Sequence, residues 1–137
     1  MPANVPRRKV LIIEDEPSIR NVLFVLLAGF GCDGDVAHDG RQALAMIQKE
    51  SFEAVLLDLR SSHLPPEEMV SSIVELRPSL VGRVLVIVGE VADPKTVEML
   101  TRCALPHITR SHVSSDLWAR LRALPGFAPP TADSPAS

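Results

Sequence analysis

The sequence predicts an α/β fold, a five-stranded parallel sheet with helices on both faces. Short apolar runs alternate with longer amphipathic ones along the whole chain, the pattern of strands joined by crossover helices. Residues 10–13, 54–57 and 83–88 are almost continuously apolar and rich in β-branched side chains, as strands buried on both faces must be. Two of these runs end in carboxylates, Glu14-Asp15-Glu16 and Asp58. Ionised carboxylates do not stay in an apolar core without partners, so they mark the carboxyl ends of neighbouring strands. In open parallel sheets that edge is where ligands bind.

The elements follow in order. Residues 1–8, with two prolines and two arginines, read as a frayed arm. The first strand covers 9–13. Pro17 suits the first position of a helix, and Ile19, Val22, Leu23, Leu26 and Leu27 recur at helical spacing as its inward stripe. Phe24 and Val25 lie off that stripe, either half-buried or free to meet a partner helix or a second copy of the chain. Gly29 and Gly31 end the helix. Residues 33–37 form a short polar strand suited to the sheet edge.

Asp39-Gly40 opens the second helix, with Ala43, Leu44 and Ile47 inward and an end near Glu50. The third strand is 54–57. After Pro65-Pro66 a third helix turns Met69, Val70, Ile73 and Val74 inward, and Pro78 stops it. The fourth strand ends at Val88. Asp93-Pro94 reads as a cap and first-turn proline of a fourth helix, with Val97, Leu100 and Cys103 or Ala104 inward. Residues 106–109 form a short fifth strand. Ser114 or Ser115 caps a fifth helix with Leu117, Leu121 and Leu124 facing the core. From Pro125 to Ser137, proline, alanine and serine dominate, the composition of a tail or linker rather than a core.

Composition narrows the functional classes. The 137 residues suit one domain with one core, and 46% apolar against 23% charged residues is ordinary for a soluble globular chain. No apolar run reaches the roughly 18–20 residues of a membrane span, and no signal peptide is recognisable. Cys32 and Cys103 lack metal or redox spacing, which points to a reducing cytoplasmic setting. A net charge of −3 without a basic block argues against nucleic-acid binding by this chain alone. The crowded acids Glu14, Asp15 and Asp58 form an oxygen-rich pocket suited to a hard divalent cation such as Mg²⁺.

Across residues 9–124 the chain resembles the receiver domain of two-component response regulators, the CheY-like, flavodoxin-like fold. The resemblance rests on the acidic pair Glu14-Asp15 after strand one and Asp58 ending strand three, set within five βα units. It implies the strand order 2-1-3-4-5, with 1–8 as an arm before the domain and 125–137 as a tail or linker after it. It also implies a mechanism. Asp58 is the phosphoacceptor, and Asp15, Asp58 and the backbone carbonyl of Arg60 coordinate Mg²⁺, with Glu14 acting through water. Phosphoryl transfer of this kind needs positioning and charge neutralisation more than covalent chemistry. The implied partners are a sensor histidine kinase or histidine phosphotransfer protein, and a downstream protein on the face of helix four, strand five and helix five. A second copy of the chain is a further candidate partner.

The sequence departs from the family pattern at set positions. Val88 stands where Ser or Thr usually ends strand four, and Arg110-Ser111 where Lys, often followed by Pro, follows strand five. His107 occupies the aromatic switch position. Leu64-Pro65 arrives late after Asp58, and Pro66 replaces a common glycine. Val88 has no hydroxyl for a phosphoryl oxygen, a bond of roughly 1.5–3 kcal/mol to a charged group. Losing ~2 kcal/mol weakens a population shift about 30-fold. Arg110 keeps the charge but offers a planar fork rather than a point ammonium. Arg60 either stays solvated or pairs with Asp58. His38, His63, His107 and His112 lack ligand spacing and suit the surface, and Trp118 suits a half-buried or docking position.

The leading expectation is therefore an atypical receiver domain, not an enzyme, and without an output domain of its own. The alternative is a phosphorylation-independent interaction module of the same fold. An aspartyl-phosphate phosphatase is disfavoured, because Arg60 replaces the second acid such an enzyme needs and no cap-sized insertion is present.

Overall fold

The protein is described by a computed structural model over residues 8–61, 64–90 and 93–127. Five strands, β1 (Arg8–Ile13), β2 (Cys32–Ala37), β3 (Ala54–Asp58), β4 (Val84–Val88) and β5 (His107–Thr109), alternate with five helices. The helices are α1 (Pro17–Gly29), α2 (Gly40–Lys49), α3 (Pro66–Leu76), α4 (Pro94–Arg102) and α5 (Val113–Arg122). The strands form one sheet in the order β2-β1-β3-β4-β5, and every neighbouring pair is parallel. The polar β2 is at an edge, as expected.

Several helix ends have a local reason. Pro17 opens α1, and Gly31 follows it at φ 82°, a backbone region glycine enters without strain. Asp39 caps α2 by accepting from the Gln42 N–H at 2.8 Å, and Asp93 caps α4 by accepting from the Thr96 N–H at 2.8 Å, each satisfying a donor the helix cannot. Pro66 opens α3 and Pro78 follows its end.

The sheet divides the core by side-chain parity. Val10, Ile12, Leu56, Leu85 and Ile87 pack under α1 and α5 with Leu23, Leu27, Leu117 and Leu121. Leu11, Ile13, Val55 and Leu57 pack on the other face with Ala43, Ile47, Met69 and Ile73 of α2 and α3. Val86 and Val88 meet Met99 and Leu100 of α4. With both faces covered, the unpaired polar chemistry is left to the sheet's carboxyl edge.

Several sequence expectations are corrected. Arg8 belongs to β1 rather than the arm, pairing in register with Cys32. Val22 is exposed, while Phe24 is half-buried against the core and Val25 stays exposed. In α4, Met99 and Leu100 turn inward, and Val97, Cys103 and Ala104 are exposed. Neither Ser114 nor Ser115 caps α5, because the helix already starts at Val113 after a 3-10 turn over Arg110–His112. Residues 125–127 are not tail. Phe127 is buried with Leu124 and Leu121, and Arg83 Nε donates to the Pro125 carbonyl at 2.8 Å. Trp118 half-buries, stacked on Phe30 at 4.7 Å between centroids. His63 and the stretches 1–7 and 128–137 lie outside the described residues. Among the described residues, no helix is long and apolar enough to cross a membrane.

Candidate functional site

Parallel register brings the two acidic strand ends together. Ile13 pairs with Leu57 across β1 and β3, so Glu14 and Asp58 are adjacent one step further on. Both are buried, Asp58 with no exposed surface and Glu14 with 1%. Two adjacent carboxyl groups in so dry a place resist ionising together. Burial, then the hydrogen-bonded Asp58 carboxylate, pushes the Glu14 acid up to about 8. Burial alone pushes Asp58 upward too. Hydrogen bonds from Glu14, the Arg60 N–H and the Arg110 guanidinium outweigh that push and hold Asp58 below the usual carboxylate range. Glu14 is thus the protonated partner near neutrality and Asp58 the anion.

Two donors fix Asp58, and a second guanidinium stands near it. The Arg60 backbone N–H donates to Oδ1 at 2.8 Å, as the 3-10 turn Leu59–Ser61 folds back on its own strand end. Arg110 Nη2 donates to Oδ2 at 2.9 Å. The Arg60 side chain bonds the Glu16 carboxylate at 2.9 Å and keeps its Nε 3.8 Å from Asp58 Oδ1. Of the two readings left open for Arg60, the structure gives a shared position, on Glu16 and beside Asp58.

Asp15 is tied to Ser61. It is exposed, and its Oδ1 accepts from Ser61 Oγ at 3.1 Å, while its N–H donates to the same hydroxyl at 3.1 Å. Ser61 Oγ also lies 3.3 Å from Glu14 Oε2. Buried Ser61 therefore holds the acidic pair together. It was not singled out from sequence, although a residue three after Asp58 in a 3-10 turn returns to the same side. Glu90 is a second omission. Its carboxylate accepts from the Ser111 N–H and the Ser111 hydroxyl, both at 2.9 Å, and ties the loop after β4 to the one carrying Arg110.

The remaining predicted positions are separate from this cluster. Val88 is buried in the α4 cluster, one residue past Ile87, the register partner of Asp58. His107 is exposed, with Nδ1 3.2 Å from the Leu105 carbonyl.

The donor chemistry fits a hard cation. Glu14, Asp15, Asp58 and the Arg60 carbonyl offer only oxygen, and among the described residues no donor reaches buried Glu14 Oε1, an atom a cation would satisfy. Among the described residues, however, no three acid, His or Cys side chains are placed around a common metal position. Their orientation follows Ser61 and the two arginines.

Comparison with known proteins agrees with this fold. The model of the response regulator receiver domain matches residues 10–122. The transcriptional regulatory protein TrcR of Mycobacterium tuberculosis is 31% identical over 117 residues, 85% of this chain and 44% of that protein. The transcriptional regulatory protein ZraR of Escherichia coli K12 is 29% identical over 112 residues, 82% of this chain and 25% of that protein. The chain thus spans less than half the length of these relatives. Among solved structures, Vibrio cholerae chemotaxis protein CheY4 superposes with a TM-score of 0.74 at 21% identity, covering 87% of this chain and 99% of that one. The receiver domain of a sensor histidine kinase from Pseudomonas aeruginosa PAO1 superposes with a TM-score of 0.73 at 16% identity, covering 87% and 98%. That structure has a magnesium ion coordinated in its active-site cleft.

Proposed function

The chain belongs to the response regulator receiver domain family, and from that premise we propose that Asp58 is its phosphoacceptor. One observation carries the reading. Asp58 is a fully buried carboxylate at a strand end, with the Arg110 guanidinium 2.9 Å from one oxygen and the Arg60 N–H 2.8 Å from the other. Such an anion is kept as a nucleophile, and a cation already faces the place where transferred charge would arrive.

In the proposed step an Asp58 oxygen forms a bond to phosphorus. The bond from phosphorus to the donor breaks, and the donor, a phosphohistidine or a small acyl phosphate, leaves with that electron pair. Arg110 neutralises charge on the phosphoryl oxygens, and the Arg60 N–H keeps the acceptor oriented. Mg²⁺ bound by Asp15, Asp58 and the Arg60 carbonyl, with Glu14 nearby, would add further positive charge there. A histidine kinase or phosphotransfer protein would supply the group, and a downstream protein would meet the face of α4, β5 and α5. Val88 and His107 make the response atypical, since the first has no hydroxyl to be drawn to a phosphoryl oxygen and the second is already outward.

A second reading, a phosphorylation-independent interaction module, is supported by the engagement of both Asp58 oxygens and by the dispersal of the acids among the described residues. Incubation with acetyl phosphate and Mg²⁺ separates the two. A phosphate adduct by intact mass, absent in Asp58→Ala, supports the phosphoacceptor, whereas an unmodified, folded protein supports the module.

A further inference from the structure

Arg110 carries an unexplained group. Its Nη2 donates to Asp58 Oδ2 at 2.9 Å, yet its Nε is buried and has no hydrogen-bond partner among the described residues. A buried N–H left unpaired costs about 1–3 kcal/mol, more when the group is charged, so an orphan here calls for a ligand. Guanidinium geometry says which kind. Nε–H and one Nη2–H lie on the same edge of the planar group and point in parallel, the edge that binds carboxylate or phosphate two-point. Nη2 is on the acceptor, and Nε, its neighbour on that edge, meets no acceptor among the described residues.

We propose that Arg110 is a two-point phosphoryl clamp, with Nη2 and Nε each taking one oxygen of the group transferred to Asp58. The inference rests on Asp58 being the acceptor and deepens that reading. It assigns to one arginine the work of two donors. Val88, next after the register partner of Asp58, has only methyl groups to offer; the Nε–H supplies a second hydrogen bond in place of the one Val88 lacks. A lysine at 110 would bring equal charge without the planar pair of parallel donors. The clamp is held in place rather than loose. The Arg110 side chain is 19% exposed, and the neighbouring Ser111 is fixed at its N–H and hydroxyl by Glu90. Arg60 does not compete for this position, since its guanidinium is on Glu16 and faces the other Asp58 oxygen.

The test is binding of beryllofluoride with Mg²⁺, a mimic of the attached phosphoryl group, followed by fluorine NMR. Arg110→Lys is expected to weaken binding at least about tenfold, the lower end for a charge-assisted hydrogen bond. Val88→Thr is expected to add little to the parent protein but to restore most of the loss in Arg110→Lys. In the ¹⁵N-labelled parent, the Arg110 Nε–H resonance, identified by its disappearance in Arg110→Lys, moves downfield and exchanges more slowly on binding. Equal binding by Arg110→Lys, strictly additive effects of the two substitutions, or an unmoved Nε–H overturns the clamp alone. A parent protein that takes neither beryllofluoride nor an acetyl phosphate adduct overturns the phosphoacceptor reading, and the clamp with it.

Discussion

Glu90 grips Ser111 at two points, its carboxylate accepting from the backbone N–H and from the hydroxyl, each at 2.9 Å. Those two bonds, the hydroxyl first, hold the Glu90 acid below the usual carboxylate range. The grip connects the loop after β4 to the residue beside Arg110. Both partners are exposed, so the contact adds little to stability but does restrict where Arg110 starts. Glu90→Ala is expected to leave the thermal midpoint almost unchanged and to weaken beryllofluoride binding a few-fold. Equal affinity in the variant would mean that packing around Arg110 suffices to position it.

The Glu14–Asp58 pair makes stability depend on pH with a definite sign. Glu14 ionises at about 8 in the folded protein against an ordinary 4.5. Between those values the folded state binds more protons than the unfolded one, so the Glu14 contribution falls as pH rises. Asp58 is shifted the opposite way; its contribution is present above its ordinary range and is lost only in acid. From pH 6 to 8.5 the metal-free protein is therefore expected to lose roughly 2 kcal/mol. Glu14→Gln should flatten that slope in guanidinium titrations. Added Mg²⁺ should stabilise more at the alkaline end, where it no longer competes with the Glu14 proton. A stability that is level or rising across this window would contradict the pairing.

The sheet was legible because parallel strands leave an unusually plain mark, continuous apolar runs with acids just past their ends. Asp58, Glu14 and Arg110 could be named before their distances were known, because the fold fixes strand ends and those three stand at them. Side chains whose role depends on which way they turn were less legible. Val97 and Leu100 have the same helical spacing as Met99 and Thr96, and only docking against Val86 and Val88 selects Met99 and Leu100 as the inward pair. Asp15 could be read as a metal ligand from its neighbour Glu14, whereas the serine three residues past Asp58 that binds its carboxylate left no mark in the pattern. Phe127 was hidden by its company, since a single aromatic among proline, alanine and glycine does not alter the composition of a tail.

Arg60 and a metal ion compete for the same acids. Its guanidinium bonds Glu16 at 2.9 Å and faces Asp58 Oδ1 at 3.8 Å, placing positive charge beside the oxygens that a cation would use. The side chains of Arg60 and Glu16 are well exposed, so removing the pair should shift stability by no more than about 0.5 kcal/mol. Arg60→Ala keeps the backbone N–H on Asp58 and removes only the guanidinium. It is expected to bind Mg²⁺ a few-fold more tightly by calorimetry and to be modified faster by acetyl phosphate. Weaker Mg²⁺ binding in the variant would instead make Arg60 a support of the acidic site.

The segment after α5 belongs to the core by three independent contacts. Phe127 is 4% exposed among Leu121 and Leu124. Its N–H donates to the Leu124 carbonyl at 3.1 Å, and Arg83 Nε holds the Pro125 carbonyl at 2.8 Å. Between them Gly126 takes φ 76°, and a β-carbon there would stand 2.2 Å from Arg83 Nη2. An L side chain at this position is strained and also displaces the arginine that secures the turn. Phe127→Ala should therefore cost about 3 kcal/mol, the usual range for removing a buried aromatic ring. Gly126→Ala should cost roughly 1–2 kcal/mol, within the range for backbone strain at a left-handed position. Denaturant midpoints of the two variants, read at constant slope, check both values. A loss below about 1 kcal/mol for Phe127→Ala, far under the aromatic range, would return the segment to the status of a tail and leave Leu124 as the last residue of the core.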